Sequence, residues 1–591
     1  MKTQRGTRPV RIANCSGFFG DRISAARELV EGGPIDVLTG DWLAELTMVI
    51  LHRQRARNPE LGYASTFLTQ MEQVLGTCLD RGITVVTNAG GLNPAGCAEK
   101  VRAIAARLGL TVRVAHIEGD DLMDRVEVLR PQLAHLDTGE ALSGAPLSAN
   151  AYLGGWGIAR ALDDGADVVV CPRVTDASLV VGPAAWWWDW STDDWDRLAG
   201  AVAAGHVIEC GTQATGGNYS WFHDIPDRAL PLGFPIAEVS RNGDSVITKH
   251  PGTGGLVDVG TVTSQLLYEI ASPRYLNPDV TADFATTRVE QDGPDRVRMS
   301  ATEGAPPPPT TKVCITLDGG FRNTMTFVVS GLDQAAKADW LLDALLRRLG
   351  GRERFDEIDV RRIEAPSSAV GQESSSGLVH VTVKSAQEHV VGRAFSSAVV
   401  ELALANYPGL FTLSPPGEAQ AFGVFWPALV DNAEISQVVI TDDGTSHVVE
   451  GPESDRGGID RPDRPVDDQA TDRETPAEPV GPVGPVGPSP GEALGAHFAA
   501  RSGDKGGNAN VGIFARDAAG YRWLEQHLTV HAFQRLVPEA RNLEIRRYEL
   551  ANLHALNFVV VGLLGRGVAS STAFDPQAKG LGEYLRSRPW E

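Results

Sequence analysis

The chain has 591 residues, with 53 basic against 75 acidic side chains and a formal net charge of −22. A field of that sign repels phosphodiester backbones, and no Lys/Arg run interleaved with aromatics offsets it, so nucleic acid is disfavoured as a partner. Six cysteines form no C-x-x-C pair, no apolar run approaches the roughly 20 residues that span a bilayer, and the N-terminus lacks a signal-peptide pattern; a reducing, cytoplasmic setting without membrane attachment is expected.

In chain order, VRIANC (10–15), IDVLTG (35–40), ITVVTNAGG (83–91), TVRVAHIEG (111–119) and ADVVVCP (166–172) read as buried strands. Helical patterns intervene from about Arg22, over 65–81 and 94–108, and through GWGIARALDDG. This alternation predicts βαβ units and the α/β class: a Rossmann-like parallel-sheet body with helices on both faces. Polar residues gather just past the strand ends: Asn14 and Ser16, Asp41, Asn88 with Gly90 and Gly91, Glu118, and Arg173 with Asp176. Ligands bind at that edge in open α/β sheets, although each position alone also suits a helix cap or a turn.

From about Phe234 to Glu450, short β runs mix with helical stretches such as DWLLDALLRRLG. They predict a second, mixed α/β lobe, dividing a body at 8–450 into lobes of about 8–230 and 231–450. Residues 451–491 are charged, then Pro/Gly-repetitive, and predict a disordered linker. Residues 492–591 predict a small α+β domain.

Within this frame, CPRVTDAS (171–178) delivers Arg173, a bidentate binder of carboxylate or phosphate, and Asp176, a general base if the site is dry. An internal Arg–Asp ion pair fits the same residues. GHVIECGTQATGG (205–217) places His206, Glu209 and Cys210 beside a glycine-rich turn; Glu209 suits an acid/base partner for Asp176, and a metal site lacks a third ligand. TNAGGLNPAG (87–96) suggests an anion cradle at Gly90 and Gly91. GGWGIAR lacks the preceding strand of a dinucleotide fingerprint, and HPGTGGLVD lacks the Lys-Ser/Thr of a P-loop. RSGDKGGNAN (501–510) crowds Arg501, Ser502, Asp504, Lys505, Asn508 and Asn510 into one turn, suiting a polar ligand, a docking contact or a solvated hairpin. His527 and His531 read as ordinary histidines, and AWWWDW (185–190) as core, interface or the wall of an apolar pocket.

These stretches resemble one family. NCSGFFGDR, DVLTGDWLAELTM, TNAGGLNP, RVTDASL, GHVIECGTQATGG, GFPIAEV and TGGLVDVGTVTSQLLYE are similar to the acyclic terpene utilisation (AtuA-like) family over about residues 8–450. RSGDKGGNANVGI and YELANLHALNFVV resemble the ferredoxin-like domain often fused to it. The resemblance implies a role in degrading acyclic terpenes, acting on a branched isoprenoid acyl-CoA or its acid. It brings no catalytic residue set with it.

The residues themselves suggest acid/base hydration or C–C lyase chemistry, with Asp176, Glu209 and Asp41 catalytic. Asn14, Ser16, Asn88, Gly90, Gly91, Arg173, Ser502, Asp504, Lys505 and Asn508 would bind substrate. No metal is expected, and no cofactor beyond CoA as part of the substrate. The alternative is a non-catalytic accessory subunit for carboxylases or dehydrogenases of the same pathway. Self-association is left open.

Overall fold

The computed structural model describes residues 5–366, 368–454 and 487–591. Most of the linker expected over 451–491 therefore lies outside the described residues.

Five parallel strands form the centre of the body: β1 (Val10–Asn14), β2 (Val37–Gly40), β3 (Thr84–Thr87), β4 (Val114–Glu118) and β5 (Val168–Val170). Their sequences, such as TVVT and VVV, are short β-branched runs buried throughout, as strands covered on both faces require. The registers Ile12↔Val37, Val85↔Val168 and Val114↔Val168 bring their carboxyl ends to one edge. Helix starts are set locally there: Asn93 accepts a hydrogen bond from Gly96 N at 2.9 Å, and Pro94 occupies the first helical turn.

The sheet does not stop at these five. β6 (Pro235–Val239), β7 (Ser245–Lys249), β8 (Arg288–Gln291) and β9 (Arg296–Ser300) continue it antiparallel beyond β1. β10 (Gln437–Ile440) and β11 (Ser446–Val449) do the same beyond β4, giving eleven strands in the order β8-β9-β7-β6-β1-β2-β3-β5-β4-β10-β11. The lobe boundary expected near residue 231 is therefore not where the chain divides. Unpaired N–H and C=O rows at the two edges of the parallel core recruit strands from distant parts of the sequence, which a linear reading of texture misses.

The chain forms two compact units. The second takes Leu317–Val424 with Ala569–Phe574, and the first takes the rest of the described chain. The second unit has its own core, in which Phe327, Val381, Leu341 and Phe395 are buried.

Within the first unit, the C-terminal domain is a four-stranded antiparallel sheet: β12 (Ala499–Lys505), β13 (Asn508–Phe514), β14 (Ile545–Leu550) and β15 (Ala555–Val560), in the order β12-β13-β15-β14. Phe498, Phe533 and Phe558 anchor its core. It lies flush on the helix Val259–Leu266 and the residues that follow. A Cβ at Gly512 would sit 2.6 Å from the Leu267 Cβ, and one at Gly503 would sit 2.4 Å from the Tyr268 ring. Polar bonds fasten the same face: Glu269 N donates to Asn510 Oδ1 at 2.8 Å, Ser220 Oγ to the Ala500 carbonyl at 2.6 Å, and Asn552 Nδ2 to the Phe284 carbonyl at 2.8 Å.

Gly512→Val is expected to overpack this contact and cost about 1–3 kcal/mol. Amide exchange measured by mass spectrometry would accelerate at Leu267–Ile270 while the strands of the C-terminal domain stay protected. Unchanged exchange at 267–270 would show that the glycine faces do not set the docking.

Candidate functional site

Asn14, at the exit of β1, assembles the edge. Its Nδ2 donates to the carbonyls of Ser16, Ile208 and Glu209 at 2.9, 2.7 and 2.8 Å. This fastens the end of the helix Trp195–Ile208 to β1 and holds Glu209 at the strand exits. Ser16 is buried, with its hydroxyl donating to the Phe18 carbonyl and its own carbonyl accepting from Asp41 N. Both residues position others: the donated bonds of both run to backbone carbonyls, and Asn14 Oδ1 accepts from the Thr39 hydroxyl at 3.3 Å.

Asp41, at the exit of β2, is held by the exit of β3. Asn88 Nδ2 donates to Asp41 Oδ1 at 2.6 Å, Leu43 N adds a second bond to the same oxygen at 3.2 Å, and Asn88 Oδ1 accepts from Trp42 N. Both bonds to the Asp41 carboxyl go to Oδ1. Burial, then the charge of Asp176, pushes Asp41 well above the usual carboxylate range. Glu209 is raised likewise, by burial first and then by Asp176 and Glu269. Asp176 is half-buried and also raised by burial, but Arg173 opposes the shift across a 3.3 Å contact.

Arg173 is buried, donates to the Leu43 carbonyl at 2.9 Å and lies over the Tyr152 ring at 4.3 Å. Lys312 lies over the same ring at 5.0 Å and over Phe425 at 5.3 Å. Tyr152 OH donates to Glu45 at 3.3 Å. Burial alone would raise Glu45, but Lys312 and Arg173 outweigh it and hold Glu45 below its usual range. His206 packs against Tyr275 and Phe284, and burial lowers it to about 4, so it is neutral at physiological pH. Its Nδ1 lies 3.3 Å from Glu209 Oε1. Among the described residues, no three His, Cys, Asp or Glu side chains converge as a metal-ligand set.

Several expected residues have their polar groups bonded within the fold. The anion cradle is closed, because Gly90 N donates to the Cys171 carbonyl and Gly91 N to the Asn88 carbonyl. A Cβ at Gly90 would lie 2.5 Å from the Cys171 carbonyl oxygen, so that glycine is needed for close packing. Ser502 bonds to the Ala578 carbonyl and Gly582 N, and Asn508 bonds to Asp137 and Gly562 N. Gly155 N donates to Asp279 at 2.9 Å. The tryptophans at 186–188 are buried, with Trp187 and Trp188 donating to backbone carbonyls, and His527 stacks on Trp523. Asp504 and Lys505 lie near enough to the strand-exit carboxyls to interact with them: burial, then Glu269 and Glu45, raises Asp504 to about 8, and Lys505 acts on Asp176 and Glu209.

Glu45, Tyr152, Glu269, Tyr275 and Lys312 went unnoticed in the sequence. Glu45 and Glu269 had a signal, since they lie inside the distinctive stretches GDWLAELTM and TSQLLYE. Glu269 also takes a left-handed backbone, with φ 57°. Lys312, inside an alternating β run, and the two tyrosines carried none.

The fold and site define an α/β protein whose carboxyl-rich strand exits are joined by an appended α+β domain. The family model described as acyclic terpene utilisation family protein AtuA matches residues 10–441. A second, described as AtuA ferredoxin-like domain, matches residues 494–590. The chain belongs to the acyclic terpene utilisation AtuA family. No curated protein matches it.

Behind the site, Asp120 tests the electrostatics. It accepts from Asn150 Nδ2 at 2.7 Å and Arg173 N at 3.3 Å, and burial pushes it up to about 7. The folded protein keeps a proton that the unfolded chain releases near pH 4, so this group's contribution to stability is lost as pH rises from about 4 to 7. Asp120→Asn is expected to remove that decline, worth at most about 4 kcal/mol. Denaturant titrations at pH 5 and 8 check this; an identical pH slope in wild type and variant would refute the assignment.

Proposed function

We propose that the protein is an acid/base enzyme of acyclic terpene utilisation that acts on an isoprenoid acyl-CoA or its acid. The observation that carries this reading is the convergence of Asp41, Asp176 and Glu209 beside buried Arg173 at one sheet edge. Buried carboxyls that repel one another oppose folding, and sites of this kind are arranged for proton transfer.

The three carboxyls differ in environment, and the difference suggests their roles. Asp176 sits against Arg173, which favours its anionic form and suits it to be the base. Asp41 and Glu209, with no Lys or Arg in direct contact among the described residues, keep their protons to higher pH and suit general acids. Arg173 would hold the substrate's carboxylate or thioester oxygen. Removal of a proton by Asp176, with protonation on the other side by Asp41 or Glu209, serves hydration of a double bond or cleavage of a C–C bond beside a carbonyl. The family description supports the terpenoid substrate class.

Asp176→Asn and Glu209→Gln are each expected to lower turnover of a branched isoprenoid acyl-CoA at least 100-fold, with little change in melting temperature. The wild-type rate should fall as pH rises through the elevated pKa of the acid. Thioester consumption followed by mass spectrometry decides this, and wild-type rates in both variants would place the chemistry elsewhere.

A further inference from the structure

The body's share of the site is dominated by acid. Asp41, Glu45, Asp176, Glu209 and Glu269 gather there, and the body cations that act on them most strongly among the described residues are Arg173 and Lys312. Arg173 is already engaged by the Leu43 carbonyl, Asp176 and the Tyr152 ring. With five acids against Arg173 and Lys312, an anionic substrate group gains from a further cation beside Arg173.

The β12–β13 hairpin brings one. Its register closes at Lys505↔Asn508, and Gly506, with φ +64°, makes the turn. The tip is fixed on the body: a Cβ at Gly506 would lie 3.1 Å from the Phe425 ring, and Asn508 Nδ2 donates to Asp137 at 3.0 Å. Phe425 is also the ring beneath Lys312. Lys505 Nζ lies 5.6 Å from the centre of the Tyr275 ring, which packs on His206. Among the described residues, Lys505 makes no ion pair within 4.0 Å and no side-chain hydrogen bond, although it is half-buried and close enough to act on Glu45, Asp176 and Glu209. Buried polar atoms of the site, among them Arg173 Nε and Glu209 Oε2, also lack a hydrogen-bond partner among the described residues. Unpartnered polar atoms are costly in a folded core and rarely gather without a ligand to complete them.

We infer that Lys505 is a catalytic residue that binds the substrate's anionic oxygen alongside Arg173, which makes the C-terminal domain a working part of the active site. This rests on the reading of the strand exits as an acid/base site for an acyl-CoA or acid. A lysine in this position neutralises a carboxylate, or the negative charge that grows on a thioester oxygen when the neighbouring carbon loses its proton. The domain is then held against the body by Gly503, Gly512 and Asn510 so that its hairpin tip is placed to within hydrogen-bond reach of substrate.

The full chain is tested by calorimetry with two probes, 3-methylbut-2-enoate and its uncharged amide. Lys505→Met is expected to weaken carboxylate binding at least tenfold and to leave amide binding within twofold of wild type. Lys505→Arg, which keeps the charge, should retain carboxylate affinity within about threefold. Lys505→Gln repeats the neutral substitution should the methionine variant fold poorly, with melting temperature as the check. Equal carboxylate affinity in wild type and the neutral variants overturns the inference, as does a wild type that fails to prefer the carboxylate over the amide. The two readings fail separately. Full turnover in Asp176→Asn and Glu209→Gln with carboxylate binding still dependent on Lys505 sinks only the reaction; the converse sinks only Lys505.

Discussion

Asn14 faces three backbone carbonyls with one amide group, and the site depends on that arrangement. Residues 14 and 209 lie almost two hundred positions apart, yet the Ile208 and Glu209 carbonyls are tied to the exit of β1. Without this clamp the end of the helix Trp195–Ile208 would present buried, unsatisfied carbonyls, a penalty of about 1–3 kcal/mol for each group. Glu209 could then move away from Asp41 and Asp176. A short polar side chain at a strand exit thus does its work through geometry.

The same economy recurs around the edge. Asn88 orients Asp41 and also caps Trp42 N, and Asp120 supports the backbone of Arg173. Each holds a functional side chain in place, which is how a site maintains carboxyls in positions where their charges conflict. The conflict is moderated by placing Arg173 beside only one of them, so that environments separate groups that are chemically alike.

The C-terminal domain brings a different logic. Its glycines permit backbone to lie directly on the Leu267–Tyr268 segment, where any side chain would hold the C-terminal sheet off it. Close approach there places Lys505 among body carboxyls. A domain with its own core thereby contributes charge to a cluster that it does not otherwise build.

By itself the sequence determined the parallel core, the helices that follow it and the edge where polar residues gather. Strand periodicity and turn chemistry are local, and β1 to β5 announce themselves in runs of three to five residues. It also marked Asp41, Arg173, Asp176 and Glu209, because each stands just past a buried apolar run. Only the tertiary structure decided that strands from 235–300 and 437–449 extend the same sheet, and that the second unit begins at Leu317. It also decided that Asn14, Ser16, Gly90, Gly91, Ser502 and Asn508 bond within the fold, and that Glu45, Tyr152, Lys312 and Glu269 lie beside the candidate site. The reason is physical: a hydrogen-bonding side chain has the same appearance in sequence whether its partner is a backbone carbonyl or a substrate. Only the packed fold shows which atoms are already spent.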